Sequence, residues 1–173
     1  MKNFKLLLLC CILLSSGTLF AQKSNPVKEN IDETLEKWHE AAAEANFDEY
    51  FGLIAENGIF IGTDPTENWN KAEFAEFSKP YFDKGKAWSF SSLERNIFIA
   101  DSGEIAWFDE LLDTHMGICR GSGVLVKSGD SWKIKHYVLS IEIPNENVDK
   151  ISEIKKEFDT KLIKEIRSKE EKE

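Results

Sequence analysis

The sequence predicts an α+β fold in which N-terminal helices pack on a strongly curved antiparallel sheet, followed by a charged C-terminal helix. Three observations carry this prediction. Apolar residues recur at helical spacing between residues 30 and 82, alternate with a period of two over residues 87–143, and return to helical spacing from residue 145. No internal repeat or low-complexity linker divides the chain, so we expect one folded domain.

Residues 1–21 are predicted to be a cleaved signal peptide that takes no part in the fold. Lys2 and Lys5 form a basic start, an apolar run follows over residues 6–14, and the segment closes on the small residue Ala21. The run is too short for a stable membrane span, so no membrane insertion is expected. A large residue precedes Cys10, which argues against lipidation. We therefore expect an exported protein, periplasmic or secreted, cleaved after Ala21.

The charge and cysteine content narrow the classes of partner. Removal of residues 1–21 leaves 20 basic and 31 acidic residues, a net charge of −11. Such a charge disfavours nucleic acid and anionic membrane surfaces, because binding phosphate requires a cationic face. Only Cys119 remains after cleavage, so an intramolecular disulfide is impossible.

The helices are predicted from caps and apolar stripes. Residues 22–29 form a polar lead to a domain over residues 30–144. Asn30 with Glu33 predicts the start of the first helix, residues 47–56 the second, and Asn70 with Glu73 the third, bent or ended near Pro80. A last helix over residues 145–173 is predicted to lie against the body or a partner chain. It carries a narrow apolar stripe of Val148, Ile151, Ile154, Phe158, Leu162 and Ile166.

The strands are predicted from period-two alternation and turn residues. A short buried strand covers residues 59–62, and four longer strands cover residues 87–100, 104–114, 118–127 and 131–143. The turns between the longer strands are short, which indicates an antiparallel meander.

This arrangement resembles the nuclear transport factor 2-like superfamily of cone-shaped α+β barrels, and most of all its SnoaL-like and ketosteroid-isomerase-like bacterial members. The resemblance covers residues 31–144 and rests on four segments: residues 60–65 with Trp69, residues 106–110, residues 121–125 and residues 132–136. It implies the fold. Because the superfamily includes isomerases, cyclases, dehydratases, epoxide hydrolases and binding domains, it does not choose a function.

Alternation along the strands predicts which side chains line the interior. If Lys133 and Lys135 face water, then Ile134, His136, Val138 and Ser140 face inward. If Lys127 faces water, the inward set of the preceding strand is Arg120, Ser122, Val124 and Val126.

The lengths of the turns predict the register between strands. A three-residue loop at residues 129–131 pairs Val124 with His136 and Arg120 with Ser140. A similar loop at residues 115–117 sets Glu110 opposite Ser122 and turns Phe108 inward with it. A slip of one residue would turn Asp109 inward in place of Glu110.

The predicted interior therefore holds a polar cluster of Glu110, Arg120, Ser122, His136 and Ser140 on an apolar wall. Buried charges must pair or face a wet cavity. One interpretation is an Arg120–Glu110 ion pair with His136 beside it and no ligand. The other is a ligand cavity in which Arg120, Ser122, Ser140 and Phe108 contact the ligand, and His136 with Glu110, or Asp109 after a slip, moves a proton.

Further candidates lie outside these strands. Asp64 is expected at the mouth of the cavity, or else as a turn-forming residue before Pro65. Trp69 and Trp88 are expected to wall the cavity, or else to be core residues. His39 and His115 are expected on a helix surface and in a turn. The histidines show no metal-ligand spacing and no phosphate loop occurs, so no metal or cofactor is expected.

Three functions remain open at this point. The first is a binding or carrier domain with a hydrophobic cavity for a small hydrophobic or partly polar organic ligand. The second is a cofactor-independent isomerase or lyase that uses acid–base chemistry. The third is a non-catalytic interaction module whose convex sheet face, with Tyr137, Leu139 and Ile141, forms a homodimer.

Overall fold

A six-stranded mixed sheet, curled but not closed, carries helices on one face and forms the body of the protein. The computed structural model describes residues 25–170, and the predicted signal peptide lies outside these residues. The helices are α1 Pro26–Ala43, α2 Phe47–Gly52, α3 Lys71–Phe82 and α4 Val148–Glu170, the last preceded by a 3-10 turn at Asn145–Asn147. The strands are β1 Ile54–Ile61, β2 Asn68–Asn70, β3 Ser91–Ile99, β4 Ile105–Thr114, β5 Gly117–Ser128 and β6 Ser131–Ile141.

The strands follow the order β2-β1-β6-β5-β4-β3. Strands β3 to β6 form the predicted antiparallel meander. The sequence did not predict that β1 would join β6 in parallel, with β2 added antiparallel at the edge. The fold class predicted from the sequence is confirmed, with one parallel pair as the difference.

The helix boundaries follow the capping side chains. Asn25, not Asn30, caps α1 by accepting hydrogen bonds from the backbone N–H groups of Val27 and Lys28. The predicted capping box of Asn70 and Glu73 opens α3, which continues through Pro80 to Phe82. Helix α2 ends at Gly52 rather than at residue 56, because the chain from Ile54 onward pairs with β6.

An aromatic core fills the space between the helices and the sheet. Trp38 of α1 stacks on Tyr50 of α2 with ring centres 5.0 Å apart, and Phe60 of β1 stacks on Phe74 of α3 at 3.9 Å. Leu35, Phe74, Ala106, Leu112 and Leu125 are almost fully buried among them. Burial of these side chains is the main stabilising term of the body, since each large apolar side chain contributes roughly 1.5–3 kcal/mol.

Helix α4 stands apart from this core. None of its residues is buried, and it packs chiefly on the 3-10 turn from which it begins. Within residues 25–170, no helix is both long and apolar enough to span a membrane.

Candidate functional site

A charged cluster is buried between α1 and the sheet, centred on Glu110. The Glu110 side chain is completely buried and projects from β4 toward the helices, on the side of the sheet that was predicted for it. Its Oε1 lies 2.9 Å from Nε2 of His39 and accepts a 3.1 Å hydrogen bond from the Tyr137 hydroxyl. Its Oε2 accepts a 2.9 Å hydrogen bond from Nε of Arg95. A buried carboxylate is tolerated here because both of its oxygens have donors.

Arg95 connects this buried carboxylate to the protein surface. It lies directly opposite Glu110 in the β3–β4 pair, so both side chains project from the same face. Its NH1 donates to Asp32 at 2.7 Å and to Glu36 at 3.1 Å, two residues one turn apart on α1. The Arg95 side chain is only 5 % exposed, whereas those of Asp32 and Glu36 are more than half exposed. Arg95 therefore connects the exposed carboxylates of α1 to the buried carboxylate of β4.

The protonation of the cluster follows from its contacts. Burial raises the pKa of Glu110, but the hydrogen bond and charge of His39 and the charge of Arg95 outweigh it, so the pKa lies below its usual value. Burial and the neighbouring Glu110 charge raise the pKa of Tyr137 well above its usual value. Glu110 is thus ionised and Tyr137 is a neutral donor near neutral pH. This state favours a structural ion cluster over a proton donor.

A glycine makes room for the cluster. Gly121 of β5 lies opposite both Glu110 and Leu139, and a Cβ atom there would collide with the Tyr137 hydroxyl and the Glu110 carboxylate. At Gly123, two residues further along, a Cβ atom would collide with the backbone carbonyl oxygen of His136 and with the Phe108 ring. Both glycines face the core because larger side chains from the neighbouring strands cross above them.

The predicted inward face of β5 is wrong. Lys127 pairs with Trp132, whose side chain points into the core, so Lys127 shares the core side of the sheet. Lys127 stays solvated only because β5 extends past the end of the core. There its Nζ lies 3.8 Å from Oε1 of Glu104. The core side of β5 therefore carries Cys119, Gly121, Gly123 and Leu125, while Arg120, Ser122, Val124 and Val126 face outward.

The predicted inward face of β6 is correct only for its first half. Ile134 is buried as predicted, but the pairing shifts by one residue between Ile134–Leu125 and His136–Val124. Lys135 is the extra residue of this β-bulge, and alternation restarts after it. Tyr137 and Leu139 consequently point into the core, while His136, Val138 and Ser140 face outward.

The register predictions had mixed success. The pairs Val124–His136 and Arg120–Ser140 are confirmed, because a two-residue turn plus the bulge displaces the chain as far as the predicted three-residue loop. The pair Glu110–Ser122 is wrong, since the β4–β5 turn has two residues and sets Glu110 opposite Gly121.

The predicted polar cluster is therefore divided between the two faces of the sheet. Glu110 alone lies inside. Arg120 is on the outer face, where its Nε donates to Glu142 at 3.0 Å and its NH1 lies 3.6 Å from Asp109. The predicted Arg120–Glu110 ion pair does not exist, and Arg95 takes that place. His136, Ser122 and Ser140 share the outer face, so no cavity joins them to Glu110.

An aromatic pocket of about 260 Å³ opens elsewhere, between α3, the segment before β3 and the β4–β5 turn. Trp69 stacks on Phe77 with ring centres 4.6 Å apart and on Phe74 at 5.4 Å, and Phe74 in turn faces Trp88 at 5.8 Å. All these ring pairs lie within 26° of parallel. The wall is completed by Phe60, Tyr81, Phe90, Met116 and Leu139. The parts of these rings that face the pocket offer stacking and edge contacts to another aromatic ring.

Polar groups lie at the rim of this aromatic pocket. They are Thr63, Glu67 and His115, the last in the β4–β5 turn where the sequence placed it. The Glu67 carboxylate accepts a 3.1 Å hydrogen bond from the backbone N–H of Asp64, which holds it over Gly62. The pocket thus offers a flat apolar interior with a fixed acceptor at its edge.

The remaining candidates divide between the pocket and other roles. Trp69 and Trp88 line the aromatic pocket, and Phe108 is 2 % exposed in the core beside Tyr137. Asp64 forms a turn, since its carboxylate accepts from the backbone N–H of Thr66 at 2.9 Å. The hydrogen bonds from the side chain and backbone of Thr66 lower the pKa of Asp64, because they stabilise its ionised carboxylate.

Sequence reasoning missed three of the four members of the buried cluster. His39 was expected on a helix surface but is 4 % exposed, and Tyr137 was expected on the convex face. Arg95 was not a candidate. One signal was present: the period-two glycines at residues 121 and 123 mark a strand face that neighbouring side chains must cross. Within the described residues, no group of three metal-binding side chains lies close enough to hold an ion.

Comparison with known proteins agrees with the fold. The family model described as "SnoaL-like domain" matches residues 31–144. No curated protein matches the chain significantly.

Three solved structures show the extent of the likeness. An NTF2-like protein of unknown function from Pseudomonas putida KT2440 is 14 % identical with a TM-score of 0.59, covering 72 % of this chain and 92 % of that one. A domain of unknown function with a cystatin-like fold from Nostoc punctiforme is 14 % identical with a TM-score of 0.61, covering 86 % and 99 %. A protein of Novosphingobium aromaticivorans named as a proposed scytalone dehydratase is 12 % identical with a TM-score of 0.58, covering 67 % and 84 %. At these identities the likeness concerns the fold alone.

Proposed function

The chain belongs to the SnoaL-like domain family, and we propose that it is an exported binding domain for a small, flat aromatic molecule that carries a hydroxyl or amino group. The observation that supports this is the aromatic pocket, in which Trp69, Phe77 and Trp88 line about 260 Å³ of open space. Phe77 and Tyr81 remain 43 % and 46 % exposed at its mouth. Large aromatic side chains left open around a concavity are typical of a binding site.

The size and polarity of the pocket define the ligand class. Its volume of about 260 Å³ is slightly below the roughly 300–1,000 Å³ usual for ligand sites, so it suits one ring with a short substituent. The Glu67 carboxylate at the rim accepts hydrogen bonds and repels anions. Phenols and aromatic amines fit this description, and the aromatic walls add cation–π attraction for a protonated amine.

Isothermal titration calorimetry with phenol, benzylamine and benzoate tests the proposal. We expect saturable binding of phenol and benzylamine and much weaker binding of benzoate, whose carboxylate would face Glu67. Trp69→Ala should weaken binding at least about tenfold, which corresponds to about 1.4 kcal/mol.

Trp107→Ala is the matched control, since Trp107 lies on the opposite side of the sheet, stacked on Phe98 and 47 % exposed. It should bind as the wild type does. Absence of saturable binding by all three probes, or equal losses in both variants, would refute the proposed site.

Acid–base catalysis receives less support from the geometry. The two residues first considered for it, His136 and Glu110, do not line the aromatic pocket. His136 faces outward, and Glu110 is saturated by His39, Arg95 and Tyr137. These positions favour ligand binding without proton transfer by His136 or Glu110.

Export is the second part of the proposal and rests on the composition of residues 1–21. N-terminal sequencing of the protein recovered from the periplasm or medium of a bacterial host that expresses the full sequence tests it. We expect the chain to begin at Gln22. A recovered protein that retains Cys10 or carries lipid would contradict this part and leave the pocket untouched.

A further inference from the structure

We propose that α4 is a pairing helix that binds a second copy of this chain, with the two α4 helices antiparallel and centred on Phe158. The first observation is the exposure of its apolar residues. Val148, Phe158, Ile163 and Ile166 are 44–48 % exposed and Ile154 is 69 % exposed. The helix has 23 residues and none is buried, so packing against the rest of the chain stabilises it little. Isolated helices are only marginally stable in water.

The apolar residues of α4 form one seam. Val148, Ile151, Ile154, Phe158, Leu162 and Ile166 follow one another by three or four residues, which places them on one side of the helix. The opposite side carries Glu153, Glu157, Thr160 and Lys164. Such a seam is the surface by which helices pair.

The space beside α4 is open and apolar. A groove of about 900 Å³ separates α4 from the end of the sheet, lined by Val138, Ile141 and Ile143 on one side and by Ile151, Leu162 and Ile166 on the other. At a helix diameter of roughly 10–12 Å, this volume corresponds to about two turns of helix. The occupant that it suits is a helical segment rather than a single small ligand.

The exposed apolar area matches a weak, concentration-dependent dimer. Six large apolar side chains are 39–69 % exposed, four on the seam of α4 and two, Ile141 and Ile143, at the adjoining sheet end. At the lower limit of about 150 Å² for a large side chain, they expose roughly 450 Å² in each copy. Two copies would bury about 900 Å², less than the roughly 1,200–2,000 Å² of stable interfaces and typical of a reversible contact.

The charge distribution favours a second copy at this helix over contact between the bodies. Residues 25–147 carry 11 basic and 23 acidic residues, a net charge of −12, whereas α4 carries seven basic and six acidic residues, a net charge of +1. Residues 25–147 of two copies therefore repel each other, and the electrostatic repulsion is smallest when the copies approach through α4.

The antiparallel orientation follows from symmetry about Phe158. Residues equally distant from Phe158 meet across the pair, so Ile154 packs on Leu162 of the second copy. Antiparallel helices also oppose their dipoles favourably.

Sedimentation analysis of the chain from residue 22 over a wide concentration range tests the pairing. We expect a monomer–dimer equilibrium. Phe158→Glu should raise the dimer Kd at least tenfold, about 1.4 kcal/mol. Thr160→Glu adds the same charge two residues away on the opposite, exposed side of α4 and should leave the Kd unchanged. Because neither residue is buried, both variants should keep the fold of the body, as tryptophan fluorescence would verify.

Cysteine cross-linking tests the orientation. Cys119 is buried, so a cysteine introduced into α4 is the reactive one within the described residues. Phe158→Cys should form a covalent dimer under mild oxidation and Thr160→Cys should not. A mixture of Ile154→Cys and Leu162→Cys proteins should cross-link to each other more than either does to itself.

Three results would overturn the inference. They are a monomer at every concentration, a dimer that Phe158→Glu leaves intact, and a monomer in solution whose α4 binds only phosphatidylglycerol vesicles. The last result would assign the seam to a membrane surface. None of them bears on the binding of phenol or benzylamine.

Discussion

Oε1 of Glu110 lies 2.9 Å from Nε2 of His39, so a buried carboxylate on β4 meets a helix residue 71 positions away in the chain. The contact is buried on both sides, with His39 4 % exposed and Glu110 fully buried. An α1 that shifted along the sheet would leave this carboxylate without its partner. The contact therefore specifies how α1 seats on the sheet, in addition to the apolar packing of Trp38 and Leu35.

The first prediction separates the two arginines near this region of the sheet. Arg95→Ala removes the guanidinium that pairs with buried Glu110, and we expect a loss of roughly 3–5 kcal/mol in the free energy of unfolding. Arg120→Ala is the matched control, since Arg120 is 44 % exposed on the outer face, and its loss should stay within about 0.5 kcal/mol. Urea denaturation of both variants measures the difference. Equal losses would mean that the inner and outer faces are assigned wrongly.

The sequence predicted this region in part, for a physical reason. The alternation of β4 is uninterrupted from Ala106 to Leu112, so Phe108 and Glu110 share one side of the strand. The length assumed for the β4–β5 turn placed that side inside. The turn is one residue shorter, and this error cancelled the inverted face of β5. The two faces of β5 were assigned from Lys127, on the assumption that its side chain is on the solvent face. Lys127 is exposed because it lies at the end of the strand, although it is on the core face. The strand was therefore located correctly, but its inward and outward residues were exchanged.

The β6 error has a different origin. The bulge at Lys135 leaves no distinct residue type in the sequence, because any residue can occupy it. The prediction therefore held for Ile134 and failed from His136 onward. The pairing of Arg95 with Glu110 follows from the β3–β4 register, which the turn over residues 100–104 sets, because the bulge at residues 92–94 lies beyond this pair.

The second prediction concerns pH. The pKa of Glu110 is lower in the folded state than its unfolded value of about 4.3, so the unfolded chain binds the proton more readily. The resulting stabilisation is complete above pH 4.3 and is lost as the pH falls through the lower folded value. Denaturation midpoints of the wild type and Glu110→Gln should therefore differ most near neutral pH and converge in acid. A difference that grows on acidification would contradict the lowered pKa.

The third prediction isolates the hydroxyl of Tyr137. Tyr137→Phe removes a buried donor to a charged acceptor while it preserves the ring that packs on Trp38 at 4.7 Å. We expect a loss of about 1.5–3 kcal/mol, the usual contribution of a hydrogen bond to a charged group. Tyr81→Phe is the matched control at a 46 % exposed position and should change stability by less than about 0.5 kcal/mol. Thermal melts of both variants provide the comparison.

The last prediction tests why β5 carries glycine at its centre. A methyl group at residue 121 would meet the Tyr137 hydroxyl and the Glu110 carboxylate, neither of which can move without breaking a hydrogen bond. Gly121→Ala should therefore destabilise the protein by roughly 1–3 kcal/mol through overpacking.

Gly52→Ala is the matched control, because a Cβ atom there meets nothing within 4 Å, and it should be neutral or slightly stabilising. Combining Gly121→Ala with Tyr137→Phe should cost less than the sum of the two single changes, since removal of the hydroxyl relieves part of the collision. A double-mutant cycle by urea denaturation measures this coupling. Strict additivity would show that Gly121 does not serve to admit the Tyr137 hydroxyl to Glu110.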